Sequence, residues 1–294
     1  MRRHALALMS APLVIAAGCG GLQDERVASS SMRRAGSSSP PVVASEGFLP
    51  ATYVEGDRIV MPVTFPDGTT AELVYPPGLD LSSLRVQPYN SGYGPGLARD
   101  FLVYDEPLEE VIGSYEDAEL LSEYDDGHGG TVGFWRLPPD GVYLTFQFGS
   151  WTVLVYDYEG ASQMSDQDRA LWATNFHGRD AEDGFLLLGA DPPLTLAEAG
   201  EHAGPELEFW SRAGDSKAIL LFPGKCTPYH EGEGGFDDIE MVNGLAVSRD
   251  DEFADWCVPN ASMTVHVYQR PRDTFIDDVL GGLEIRNVNL ASSS

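Results

Sequence analysis

Two acidic, glycine-rich segments come nearest to site chemistry. One is Asp125-Asp126-Gly127-His128-Gly129-Gly130, and the other is His230-Glu231-Gly232-Glu233-Gly234-Gly235-Phe236-Asp237-Asp238. Hard cations such as Ca²⁺ take about 6–8 oxygen ligands on a flexible backbone, which glycine allows. The second segment, carried on to Glu240, crowds five carboxylates together, a repulsion that a bound cation relieves. The spacing D-x-[DN]-x-[DN]-G is missing from both, so they read as solvated surface loops, and no metal or cofactor site is assigned. Nucleophilic catalysis asks for a framed elbow such as G-x-S-x-G, and Gly149-Ser150-Trp151 lacks the frame. HExxH, the P-loop and the dinucleotide fingerprint are missing too. His128, His177, His202, His230 and His266 are scattered, and no catalytic residue is assigned. Phe134, Trp135, Tyr143, Phe146, Phe148, Trp151 and Tyr156 fall in strand-like runs. At period two they split between a core face and an outer face, where rings could stack on sugar or peptide.

Charge limits the partners. The 294 residues carry 46 acidic side chains against 18 Lys and Arg, a net −28. Such a surface repels nucleic acid and attracts basic or cationic partners. Hydrophobic residues make up 43% of the chain, enough for a core, so the chain is not disordered as a whole.

The elements that would position these residues are hairpins with a few helices. Ile59, Met61, Val63 and Phe65 alternate, Pro66-Asp67-Gly68 turns, and Ala71, Leu73 and Tyr75 alternate again. Pro76-Pro77-Gly78 breaks the strand. Val132 to Leu137 and Val142 to Phe148 flank Pro138-Pro139-Asp140-Gly141, and Trp151 to Tyr158 follows. Leu108, Val111, Ile112 and Tyr115 have helical spacing. Ser165 and Asp168 suit a capping box for a helix that Gly178 ends, followed by a strand at Phe185 to Leu188. Thr195 and Glu198 predict another short helix. Leu207 to Ser211 and Ala218 to Phe222 flank a turn. Met263 to Tyr268 is a strand, Phe275, Ile276, Val279 and Leu280 make a helical face, and Leu283 to Val288 closes as a strand. The expected class is α+β, with antiparallel hairpins and a few short helices. Two tandem strand–helix–strand units divided near Ala190 (48–190 and 191–294) are one arrangement, and a continuous domain over 48–294 is the other.

The first residues read MRRHALALMSAPLVIAAGC. Arg2 and Arg3 precede a mostly apolar run from Ala5 to Ala17, too short to span a hydrocarbon core of about 30 Å. Ala16-Ala17-Gly18-Cys19 resembles a lipobox, with Ala16 departing from the leucine favoured at its first position. The resemblance implies a lipoprotein signal peptide over 1–18 and an acylated Cys19 as the mature first residue. Two or more acyl chains hold a protein stably to a membrane. Residues 19–47 are rich in Ser, Ala and Pro, a flexible tether. Loss of Arg2 and Arg3 with the leader leaves 16 basic residues against 46 acidic, a net −30. With Cys19 given to lipid, Cys226 and Cys257 remain as an even pair in an oxidising compartment, which a disulfide would use. A metal pair is the rival reading, although no CxxC or Cys/His spacing accompanies either. The turn-rich stretch Val74 to Tyr89, with the lipobox, is similar to uncharacterised secreted lipoproteins of GC-rich bacteria, which implies a location and no activity.

The expected protein is thus an envelope lipoprotein on the extracytoplasmic side of a membrane, carrying a non-catalytic binding or structural module. A Ca²⁺- or carbohydrate-binding surface protein is the second reading, and a hydrolase with an unrecognised acidic pair the third.

Overall fold

Alternation of apolar and polar side chains runs through most of the chain, and the backbone follows it into strands. The computed structural model describes residues 48–94, 97–158, 163–201, 203–211, 216–224, 239–270 and 274–291. The first hairpin forms as its pattern predicts. Strands β2 (Arg58–Thr64) and β3 (Thr70–Tyr75) pair with Ile59 opposite Tyr75. Asp67 holds the turn by accepting hydrogen bonds from the Thr69 amide at 2.8 Å and its hydroxyl at 2.9 Å. With β1 (Tyr53–Glu55) and β20 (Glu284–Asn289) they make sheet I, ordered β1-β2-β3-β20.

Two larger antiparallel sheets hold most of the rest. Sheet II is ordered β13 (Thr195–Leu196), β5 (Ser91–Gly94), β6 (Leu97–Tyr104), β10 (Trp151–Tyr156), β9 (Gly141–Phe148), β8 (Thr131–Leu137), β7 (Glu119–Asp125). Sheet III is ordered β16 (Ile239–Val242), β17 (Leu245–Arg249), β18 (Phe253–Val258), β19 (Met263–Arg270), β15 (Ser216–Pro223), β14 (Glu206–Trp210), β4 (Arg85–Tyr89). A ribbon of β11 (Phe176–Asp180) and β12 (Leu186–Ala190) completes the strands.

Among the described residues 53% are strand and 15% helix, so the α+β expectation is overturned and the chain is an all-β sandwich. Helices α1 (Leu108–Gly113), α2 (Asp166–Asn175) and α3 (Phe275–Gly282) lie where their spacing puts them. Strands β4 to β7 and β16 to β18 were not expected, and in β4 and β5 the residues that look like breakers have a structural use. Pro88 reads as a turn residue, but it sits in β4 at a sheet edge, where proline's missing donor costs no ladder bond. Gly92 and Gly94 read as flexible, yet a Cβ at either would lie 2.6–2.7 Å from the Trp172 ring, so they are seats for an aromatic side chain. Two helix boundaries are corrected. Helix α2 ends at Asn175 because Phe176 turns extended, and Gly178 lies inside β11, under the Phe148 ring. Thr195 begins a strand paired with Tyr93 rather than a helix.

The core follows the sheets. Sheet I and α3 cover the inner face of sheet III, burying Met61, Leu73, Tyr75, Leu207, Phe209, Val265 and Val279. Helix α2 and the β11–β12 ribbon cover one face of sheet II, around Phe101, Phe146, Trp151 and Trp172. Helix α1 covers part of the other face. Phe48 joins the first two cores edge-on, with ring centroids 5.3 Å from Trp151 and 4.8 Å from Phe185. Strands β4 and β14 pair, as do β3 and β20, so segments on either side of Ala190 share sheets I and III. Residues 45–294 form one compact unit. The units β10–α2–β11 and β19–α3–β20 do not repeat a plan, because their exit strands join the ribbon and sheet I respectively.

Candidate functional site

Strand β14 reads Glu-Leu-Glu-Phe-Trp. Leu207 and Phe209 are fully buried in the core, so Glu206, Glu208 and Trp210 share the outer face of sheet III. The register then sets their neighbours. Glu206 faces Tyr89, Glu208 lies between Gln87 and Leu220, and Trp210 lies between Arg85 and Ala218. Continuing across the sheet, Leu220 faces His266, His266 faces Asp255, and Asp255 faces Ser248. One row of the outer face therefore runs Gln87, Glu208, Leu220, His266, Asp255, Ser248.

At the edge of this face the chain changes sheets. Strands β4 and β5 are separated only by the buried Asn90, whose Oδ1 accepts a hydrogen bond from the Ser91 amide at 2.8 Å. Strand β5 pairs with β6 as far as Asp100, whereas β4 turns away to pair with β14. Beyond Asp100, β6 has a strand partner on its β10 side alone, and β4 is the last strand of its sheet. The two backbones diverge around a cleft of about 170 Å³, lined by Arg85, Gln87, Tyr104, Asp105, Glu106 and Trp210 among others. Gln87 donates across it to the Val103 carbonyl at 2.6 Å. Arg85 reaches Glu106 at 3.4 Å and Asp105 at 3.7 Å, with its guanidinium 5.9 Å from the Trp210 ring centre.

The electrostatics of the neighbouring glutamates are unusual for a surface strand. Burial pushes the Glu206 carboxyl up to about 7, and the charge of Glu208 adds to the shift. Burial raises Glu208 as well, while the Tyr89 hydroxyl, hydrogen-bonded to it, draws it partly back. Burial and the Glu208 charge hold the Tyr89 phenol well above its ordinary value. Near neutral pH Glu206 is thus partly protonated, where an exposed carboxyl would have lost its proton. Further along the row, His266 Nδ1 is hydrogen-bonded to the buried Asp255. Ser248 completes the residue types of a catalytic triad, and its buried Oγ has no hydrogen-bond partner among the described residues. The order is wrong for that chemistry. A triad needs the histidine between serine and carboxylate, and here Asp255 lies between, two strand spacings separating Ser248 from His266, about 10 Å.

The sites read from the sequence fare differently. The loop at Asp125 to Gly130 is closed on itself: Asp126 Oδ1 accepts hydrogen bonds from the amides of His128 at 2.7 Å and Gly130 at 2.8 Å. Those bonds hold its carboxyl below the usual range, so the aspartate caps a turn. Among the described residues no group of three or more His, Cys, Asp or Glu could hold a metal ion. Of the second loop, Glu240 is described, and it pairs with Arg249 at 2.5 Å; residues 230–238, with Asp237 and Asp238, lie outside the described residues. Cys19 and Cys226 lie outside them too, while Cys257 is disulfide-bonded. His177 is exposed on β11, and His202 and His230 are outside the described residues. Phe134, Phe146, Phe148 and Trp151 face the α2 core, while Trp135, Tyr143 and Tyr156 form a cross-strand row on the opposite face beside α1.

Sequence reasoning missed Arg85, Gln87, Tyr89, Glu206, Glu208 and Trp210. The period-two pattern of Glu206 to Trp210 carried half of the signal, since it puts both glutamates beside a tryptophan. Nothing local pointed to β4 as their partner. No protein-family model matches the chain, and neither a curated protein nor a solved structure is similar to it.

Proposed function

We propose that this chain is an exported lipoprotein, held on the extracytoplasmic side of a membrane through an acylated Cys19. Its β-sandwich is a non-catalytic binding module, and the ligand site is the cleft between β4 and β6. The observation that carries the binding reading is the cleft itself. Two aromatic side chains, a guanidinium, an amide and two carboxylates converge on one hollow where two strand edges part. Ligand sites pair apolar walls with a few placed polar groups in this way. The anchor rests on the leader, the small-residue run and Cys19; no helix among the described residues is long and apolar enough to cross a membrane.

The acidic surface is read as favouring a basic or cationic partner and as excluding nucleic acid. Arg136, Arg169, Arg249, Arg270 and Arg286 each engage a carboxylate within 3.0 Å, so these positive charges are neutralised inside the molecule. The surplus acids then set the field that a partner meets. Cys226 is proposed as the partner of Cys257; an unreduced peptide digest should contain the two joined, and free thiol at both would overturn the pairing. Replacing Cys19 by Ser should move the protein from the detergent phase to the aqueous phase, and retention in the detergent phase would overturn the anchor. For the module, the full chain should be retained by at least one fractionated envelope polymer. The Trp210→Ala chain should be retained less. Equal retention of both would remove the cleft from the reading.

A further inference from the structure

We infer that the β4–β6 cleft takes a single uncharged sugar ring, an assignment that rests on the binding-module reading above. Size is the first restriction. The cleft of about 170 Å³ has room for on the order of six waters at about 30 Å³ each. That suits one pyranose ring and lies well below the roughly 300 Å³ at which pockets for drug-sized ligands begin.

Charge is the second. A phosphate or carboxylate entering the cleft would meet Asp105 and Glu106, on a chain whose net charge is −28. A compact cation would meet the Arg85 guanidinium, already seated near Trp210. Arg85 is already paired with both carboxylates, Asp105 also accepts from the Phe48 amide, and Gln87 Nε2 donates to Val103. A charged ligand therefore meets no uncompensated partner, whereas a hydroxyl, both donor and acceptor, can add to the second lone pairs of these oxygens and to Gln87 Oε1.

The backbone supplies the third restriction. Among the described residues β4 pairs with no strand on the cleft side, and neither does β6 beyond Asp100. Gln87 Nε2 occupies one of the exposed carbonyls, that of Val103. Edge amides and carbonyls usually acquire a partner, and a ring of hydroxyls offers donors and acceptors at short spacing. Trp210 and Tyr104 supply the apolar faces on which the C–H side of a sugar can rest. Glu208 sits beside both Gln87 and Trp210, so the glutamate pair borders the mouth.

The test uses the full-length chain with soluble neutral oligosaccharides of glucose, mannose and N-acetylglucosamine. Sulfated and sialylated oligosaccharides and a basic peptide serve as comparison arms, and binding is read by tryptophan fluorescence and calorimetry. A neutral sugar should bind, and Trp210→Ala and Gln87→Leu should each weaken it at least tenfold with the unfolding temperature unchanged within a few degrees. Leu120→Ser, on the far edge of sheet II, should leave binding as it is. If Trp210→Ala unfolds, the Gln87→Leu result decides. No neutral sugar bound at millimolar concentration, or preference for an anionic glycan or the peptide, overturns the sugar assignment. In that outcome the binding-module reading stands if an envelope polymer is still retained through Trp210, and falls with it if none is.

Discussion

Two clusters of charged side chains, one on each large sheet, solve opposite problems. On sheet II the fully buried Asp157 accepts from Arg169 Nε at 3.1 Å, Arg169 Nη2 at 2.9 Å and the Met164 amide at 2.7 Å. Arg99 lies 4.0 Å away. Burial is the largest influence and opposes the Arg169 charge, and the hydrogen bonds and charge of Asp157 together with Tyr124 outweigh it. On sheet III, Glu206 and Glu208 share a face with no cation of comparable closeness among the described residues, and burial drives both toward neutrality. Opposite charges that satisfy one another lock α2 onto its sheet. Like charges held together leave chemistry unsatisfied, and they border a cleft. The contrast separates architecture from site: Asp157, closed off from solvent, spends its oxygens on α2 and its approach, while the glutamates lie on an outer sheet face.

Removing Asp157 should produce the largest effect. Asp157→Ala leaves Arg169 beneath its contact with the Phe134 ring, 3.9 Å away, without its buried carboxylate and with only the exposed Asp166, at 3.0 Å, to pair with. Breaking a buried pair from one side costs about 3–5 kcal/mol, to be read from urea unfolding midpoints. A loss below about 1 kcal/mol would mean that the cluster is not the lock described.

The glutamate pair should respond to pH in the opposite sense from an ordinary ion pair. Glu206 has a folded value of about 7 against 4.5 unfolded, so between those values the folded state binds more protons than the unfolded state. Stability then falls as pH rises from about 4.5 to about 7 and levels off above, a contribution on the order of 3 kcal/mol. Glu206→Gln should abolish that part of the pH dependence and be the more stable chain at pH 8. Parallel stability curves for the two proteins would return Glu206 to ordinary surface behaviour.

Tyr89→Phe sharpens the same cluster. The phenol's hydrogen bond opposes the upward shift of Glu208, so its loss should move that carboxyl further up. The shift is observable in a carboxyl-carbon NMR titration, with about 1 kcal/mol lost in stability. The smallest change is expected on the architectural side. Ser165 Oγ accepts from the Asp168 amide at 3.2 Å, and Asp168 Oδ2 accepts from the Ser165 amide at 3.0 Å. Ser165→Ala should cost about 1 kcal/mol, within a range of about 0.5–2, and leave the pH response of the glutamates untouched. A changed response would couple the two clusters and break the separation.

Much of the scaffold was legible before any coordinates. The β2–β3 and β8–β9 hairpins follow from alternation around Pro-Asp-Gly turns, and α2 from Ser165 and Asp168, because these patterns act within a few residues. The class was misread because β4 to β7 and β16 to β18 went unrecognised; in two of these, Pro88, Gly92 and Gly94 look like breakers locally, while an edge position and the Trp172 ring give them places in strands. The site was less legible still. Glu206 and Glu208 are two polar residues in a strand until β4, from far earlier in the chain, brings Gln87 and Tyr89 beside them.

By itself the sequence determined the charge balance, the lipobox-like pattern Ala16 to Cys19, and the local elements, since each depends on composition or on neighbours along the chain. Only the tertiary structure decided that β4 leaves β6 at Asn90 and joins β14. That departure opens the cleft, buries two like charges side by side and sets Asp255, rather than His266, next to Ser248. Sheet register is a long-range choice, fixed by which faces the core can bury, and no local pattern encodes it.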